Sequence, residues 1–126
     1  MENSMWKYSQ SSGRMASSAG SCTGIGYSGH GEGLNNPAMQ HVPDVGPLPQ
    51  GVYDIGAFFD DVGGKGPIVA HLSAQPGSET FGRSGFMIHG DNGASDHTAS
   101  EGCIILPRAM REQIMASNDR VLIVTE

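Results

Sequence analysis

Charge is scarce in this sequence. Only 16% of its 126 residues are Asp, Glu, Lys or Arg, and seven basic residues stand against 13 acidic ones, a net charge of −6. That balance excludes a nucleic-acid partner or an anionic membrane surface, both of which are read by basic patches. Aromatic residues are also few, at 6%. No apolar run approaches the ~20 residues that span a bilayer, and the N-terminus lacks the charged and apolar regions of a secretory signal. The chain is therefore expected to be made in the cytoplasm as a soluble protein. Two cysteines, Cys22 and Cys103, are too few for a disulfide framework.

Glycine, by contrast, is plentiful. Nineteen glycines with 37% hydrophobic residues describe a turn-rich, mainly β chain rather than a disordered one. The length suits one domain over residues 1–126, with a single modest core. Trp6 and Tyr8 alternate with Lys7 and Ser9 ahead of a Ser11-Ser12-Gly13 turn, which predicts an opening hairpin. Strands are expected over 52–58, 67–72 and 120–125, where β-branched and apolar residues concentrate. His71, inside the second of these, is expected to be packed and hydrogen-bonded. Leu106, Met110 and Ile114 recur at helical spacing after Pro107, so one helix is expected to follow Cys103.

The chemistry concentrates in one stretch. Phe86-Met87-Ile88-His89-Gly90-Asp91 is an apolar strand ending in His-Gly, and after a polar loop comes Ser100-Glu101-Gly102-Cys103-Ile104-Ile105. A free thiol titrates near ~8.5, so a nucleophilic cysteine needs an imidazole or oriented amides nearby. Gly102 lets the backbone approach a substrate, and the Gly102 and Cys103 amides are candidates to face a developing oxyanion. The helix start downstream of Cys103 is expected to favour the thiolate modestly. Arg83, Arg108 and Arg111 flank the stretch as a candidate cationic rim for a carboxylate. Cys22 has no histidine or basic residue near it and reads as an unreactive thiol.

The glycines around Tyr27 do not form a phosphate loop, since no Lys-Ser/Thr follows them. His89, Asp91, Asp96, His97 and Cys103 raise a zinc hydrolase as an alternative. Their spacing lacks the paired ligands such sites favour, so neither a metal nor another cofactor is expected.

All five histidines precede Cys103, which excludes the Cys-first order of papain-like enzymes. A His-Gly strand followed by a loop and Ser-x-Gly-Cys resembles the L,D-transpeptidase (YkuD-like) family. With Tyr27-Ser28-Gly29-His30, Asn35-Asn36-Pro37 and 46–53, it resembles in particular the type VI secretion L,D-transpeptidase effectors. The resemblance implies an L,D-transpeptidase-like β-sandwich with one short helix after the cysteine, and a cysteine L,D-transpeptidase or L,D-carboxypeptidase acting on peptidoglycan stem peptides. Cys103 falls on the nucleophile and His89 on the general base, with Ser100 and Gly102 completing the catalytic set. Tyr27, His30, Asp91 and Arg108 are the candidate substrate-binding residues. Glu101 stands where most of the family has His, and is expected to face solvent. The resemblance further implies action in a target-cell periplasm, with an immunity protein and a secretion-machine component as partners. The same residues leave open a non-catalytic cell-wall binding module in which Cys103 is merely buried.

Overall fold

The computed structural model describes residues 5–18, 23–62, 64–91, 100–117 and 119–126. Trp6–Ser9 (β1) and Arg14–Ser17 (β2) form the expected hairpin, with Trp6 and Tyr8 turned into the core. Thr23–Ile25 (β3) pairs with β2, and Tyr27–Ser28 (β4) follows after Gly26. Short 3-10 turns at Gly31–Gly33 and Pro37–Met39 lead to Gly51–Ile55 (β5), Phe59–Asp61 (β6) and Gly66–Ala74 (β7). Then come Met87–His89 (β8), Ile104–Ile105 (β9), the helix Arg108–Ala116 (α1) and Val121–Thr125 (β10).

These strands make one sheet in the order β3-β2-β1-β10-β5-β7-β8-β9-β4, with β6 paired to β7. Its two end strands, β3 and β4, are joined through Gly26 alone, so the sheet is nearly closed as a barrel. The mainly β architecture with a helix after Cys103 is the one expected. The two walls anticipated for a sandwich are parts of this single curled sheet. The strand predicted over 52–58 stops at Ile55, and the chain re-enters pairing only at Phe59.

Burial follows the two periodicities in the sequence. Along β10, Leu122 and Val124 point inward, and along α1 Met110 and Ile114 do so. Each such side chain contributes ~1.5–3 kcal/mol on leaving water. Trp6, Tyr8, Met15, Tyr53, Ile88 and Ile104 belong to the same core. Trp6 Nε1 donates to Ser117 Oγ at 3.2 Å, which ties β1 to the end of α1. His71 is not packed as expected: strand alternation turns it outward, where it stacks on Phe59 at 5.3 Å between ring centroids. Among the described residues no helix is long and apolar enough to cross a membrane.

Candidate active site

Two very short strands hold the thiol and the imidazole. β8 and β9 are parallel, in the register Ile88↔Ile104 and His89↔Ile105. The side chains of Ile88 and Ile104 enter the core, so strand alternation sends Met87, His89 and Cys103 to the opposite face. Continuing the register by one residue sets Cys103 beside Met87, two rungs from His89. At ~3.3 Å per residue that offset is about 7 Å along the strands. Cys103 and His89 line one cavity of about 190 Å³, together with Asp44, Lys65 and Glu101.

His89 is buried, at 2% exposure. Its Nδ1 lies 2.8 Å from the Gly90 carbonyl oxygen. A carbonyl only accepts, so Nδ1 carries the ring proton and Nε2 is left as the acceptor. Nε2 is buried and has no hydrogen-bond partner among the described residues. Burial lowers the proton affinity of the ring, the Gly90 carbonyl opposes this, and the charges of Lys65 and Arg111 reinforce it. The neutral form of His89 is thus favoured.

The Cys103 thiol is half-buried. Burial pushes its pKa up, while a backbone hydrogen bond from Met87 and the charge of Lys65 pull it down; Glu101 raises it. The net direction is upward, against the thiolate that the downstream helix was expected to favour. β9, Leu106 and Pro107 separate Cys103 from the start of α1, and a helix field fades within a turn. No direct hydrogen bond joins Cys103 to His89. The arrangement suits a neutral thiol and a neutral general base, not a preformed ion pair.

Ser100 is the hub of the loop before the thiol. It is fully buried; its Oγ accepts from the Gly29 N–H at 2.8 Å and the Gly102 N–H at 3.2 Å, and donates to the Cys103 carbonyl at 2.6 Å. Ser28 Oγ donates to the same carbonyl at 2.9 Å. Two hydroxyls therefore clamp the backbone of Cys103. The Gly102 amide, expected to face an oxyanion, is directed at Ser100 instead. Gly102 itself has φ +130, and a Cβ there would meet Arg83 Nη2 at 2.5 Å, so only glycine suits the position. His30 is tied back to this loop through Nδ1, 2.8 Å from the Ser100 carbonyl oxygen.

Arg83 and Arg111 do not form a cationic rim. Both are buried and spent on carbonyl oxygens. Arg83 donates to Gln40, Gly46, Pro47 and Glu101, which fastens the loop over 40–47 to the loop of the thiol. Arg111 donates to Leu106, Pro67 and Ile68, and its guanidinium lies where a Cβ on Gly90 would be. Burial lowers the pKa of each. Arg108 alone stays exposed, paired with Glu112 at 3.3 Å.

Tyr27, Asp91 and Arg108 come together, away from the thiol. Tyr27 Oη donates to Asp91 Oδ1 at 2.7 Å, and all three line a larger cavity of about 420 Å³ that includes neither Cys103 nor His89. Since Tyr27 pairs with Ile105, this cavity continues along the sheet face that carries the thiol. It is the larger of the two in volume, but the candidate thiol and imidazole line the smaller one. Cys22, Asp96 and His97 lie outside the described residues. Sequence reasoning missed Ser28, Arg83 as a brace, and Asp44 and Lys65 on the cavity rim. Ser28, Asp44 and Lys65 are far from the His/Cys stretch in sequence, and Arg83, which flanks it, shows its carbonyl partners only in the fold.

A family model described as the Tlde1 domain matches residues 23–124, most of the chain. No curated protein matches it.

Proposed function

Because the chain belongs to the Tlde1 domain family, an L,D-transpeptidase-like family of type VI secretion effectors, we propose that it is a cysteine acyl-transfer enzyme acting on peptidoglycan stem peptides. One observation carries this reading: a buried imidazole whose unprotonated Nε2 has no partner among the described residues lines the same cavity as a half-buried thiol. An idle buried nitrogen costs stability, and general-base work is the reason to keep it free.

In this mechanism His89 Nε2 takes the Cys103 thiol proton as the sulfur attacks the carbonyl at an L-to-D linkage, that of meso-diaminopimelate or a similar residue. The C–N bond breaks, the proton passes from His89 to the departing amine, and a thioester remains. Water then gives L,D-carboxypeptidase activity, or the amine of a D-amino acid gives exchange or crosslinking; in either case His89 removes the acceptor's proton and the thiol is restored. Oxyanion stabilisation falls to the Cys103 amide, joined by that of Gly102 once it lets go of Ser100. Tyr27, Asp91 and Arg108 extend the groove that holds the rest of the stem.

The site of action is the periplasm of a target cell, reached through a secretion machine, and an immunity protein in the producer covers the cleft. Mass spectrometry of purified muropeptides incubated with the protein, with and without a D-amino acid, tests the chemistry. New tripeptide or exchanged stems are expected, and are lost in Cys103→Ala. Unchanged muropeptides, or equal conversion by Cys103→Ala, overturn the assignment.

A further inference from the structure

The rim of the Cys103 cavity carries both signs of charge. Lys65, Asp44 and Glu101 are all exposed side chains on one cavity. Among the described residues none of the three forms an ion pair. Two of them stand on braced backbone. Asp44, at φ +61, belongs to the loop that Arg83 grips through the carbonyls of Gln40, Gly46 and Pro47. Lys65 sits in the turn between β6 and β7, where its N–H donates to Asp61 Oδ2 at 2.8 Å and that of Gly64 donates to the Asp61 carbonyl. Lys65 lines the same cavity as His89 and Cys103.

A rim of one sign would suit a simple anion or cation. Opposite charges around a single reactive floor suit a ligand that carries both, with its two charges on adjacent groups. We propose that Lys65 and Asp44 are the specificity pair of this cavity, reading the carboxylate and the ammonium of a free amino-acid head group. Glu101 lies beside the same cavity and adds to the pull on the ammonium. Resting on the proposed function, this names what the site recognises. The head group has two sources, the side chain of a diaminopimelate in the donor stem or a free D-amino acid acceptor.

The test measures binding rather than turnover, by calorimetry and by protection of Cys103 from iodoacetamide. Its probes are stem tripeptides ending in meso-diaminopimelate or in lysine, and free D-alanine. Lysine supplies the ammonium without the carboxylate. The unaltered protein is expected to bind the diaminopimelate tripeptide about tenfold more tightly than the lysine one, the scale of one charge-assisted hydrogen bond at a partly screened site. Lys65→Gln is expected to erase that difference, whereas Asp44→Asn weakens both tripeptides alike. If Lys65-dependent binding appears with D-alanine and not as a preference between tripeptides, the acceptor is the source. No preference and no binding of D-alanine, or a preference that survives Lys65→Gln, overturns the proposal. Stem cleavage with a preference indifferent to Lys65 would leave the proposed function standing and remove this inference. Lys65-dependent binding without cleavage of any stem would do the reverse.

Discussion

Ser100→Ala removes a buried hydroxyl that holds three backbone groups at once. The Gly29 and Gly102 amides, at 2.8 and 3.2 Å, lose their acceptor inside the protein. Orphaning a buried amide costs ~1–3 kcal/mol, with the longer bond at the low end. The Cys103 carbonyl loses a donor at 2.6 Å but keeps Ser28 at 2.9 Å, so that loss is the smallest. Together these predict about 3 kcal/mol of destabilisation. For a chain of this length the melting temperature should fall by about 10 °C. Differential scanning calorimetry measures it, with Ser84→Ala, an exposed hydroxyl on the Cys103 cavity, as the control within ~0.5 kcal/mol. The loosened Cys103 backbone should also lower turnover in the muropeptide assay. A Ser100→Ala protein less than ~1 kcal/mol weaker than the parent would refute the hub reasoning, since the amides would then have found other partners.

Alkylation of Cys103 by iodoacetamide should rise with pH through an inflection above the ordinary thiol range of ~8.5, because burial disfavours the thiolate. Fast alkylation already at pH 5–6 would instead reveal a thiolate–imidazolium pair. Turnover should keep its acid limb below the ordinary imidazole value of ~6.5, since burial lowers the His89 pKa. The sign for stability follows: the neutral ring favours the folded state fully above ~6.5, and this contribution is lost as pH falls through its lower folded value, visible as a falling melting temperature. Arg83→Met should cost at least ~3 kcal/mol by urea titration, because four carbonyl oxygens lose a charged donor. Arg83→Lys should recover only part of it, because an ammonium cannot reproduce the planar fork; full recovery would show that charge alone matters there.

Much of this protein was legible in local sequence pattern. Alternation at Trp6 and Tyr8, the helical spacing of Leu106, Met110 and Ile114, and the β-branched run at 121–125 each specify an element through neighbours a few residues away. The order His89 before Cys103, with Gly102 between, likewise singled out two residues that the fold sets on one cavity. Tertiary structure alone decided what surrounds that pair. The parallel register of β8 and β9 sets the imidazole two rungs from the thiol, and pairing partners cannot be read from one strand. An arginine looks the same in sequence whether it meets solvent or carbonyl oxygens, so only burial turned Arg83 and Arg111 from a rim into braces. Proton affinities belong to the same class, because desolvation depends on what packs around a group rather than on its neighbours in the chain. Asp44, Lys65 and Cys103 share a cavity because the chain curls into a nearly closed barrel, and that closure is a property of the whole sheet rather than of any one segment.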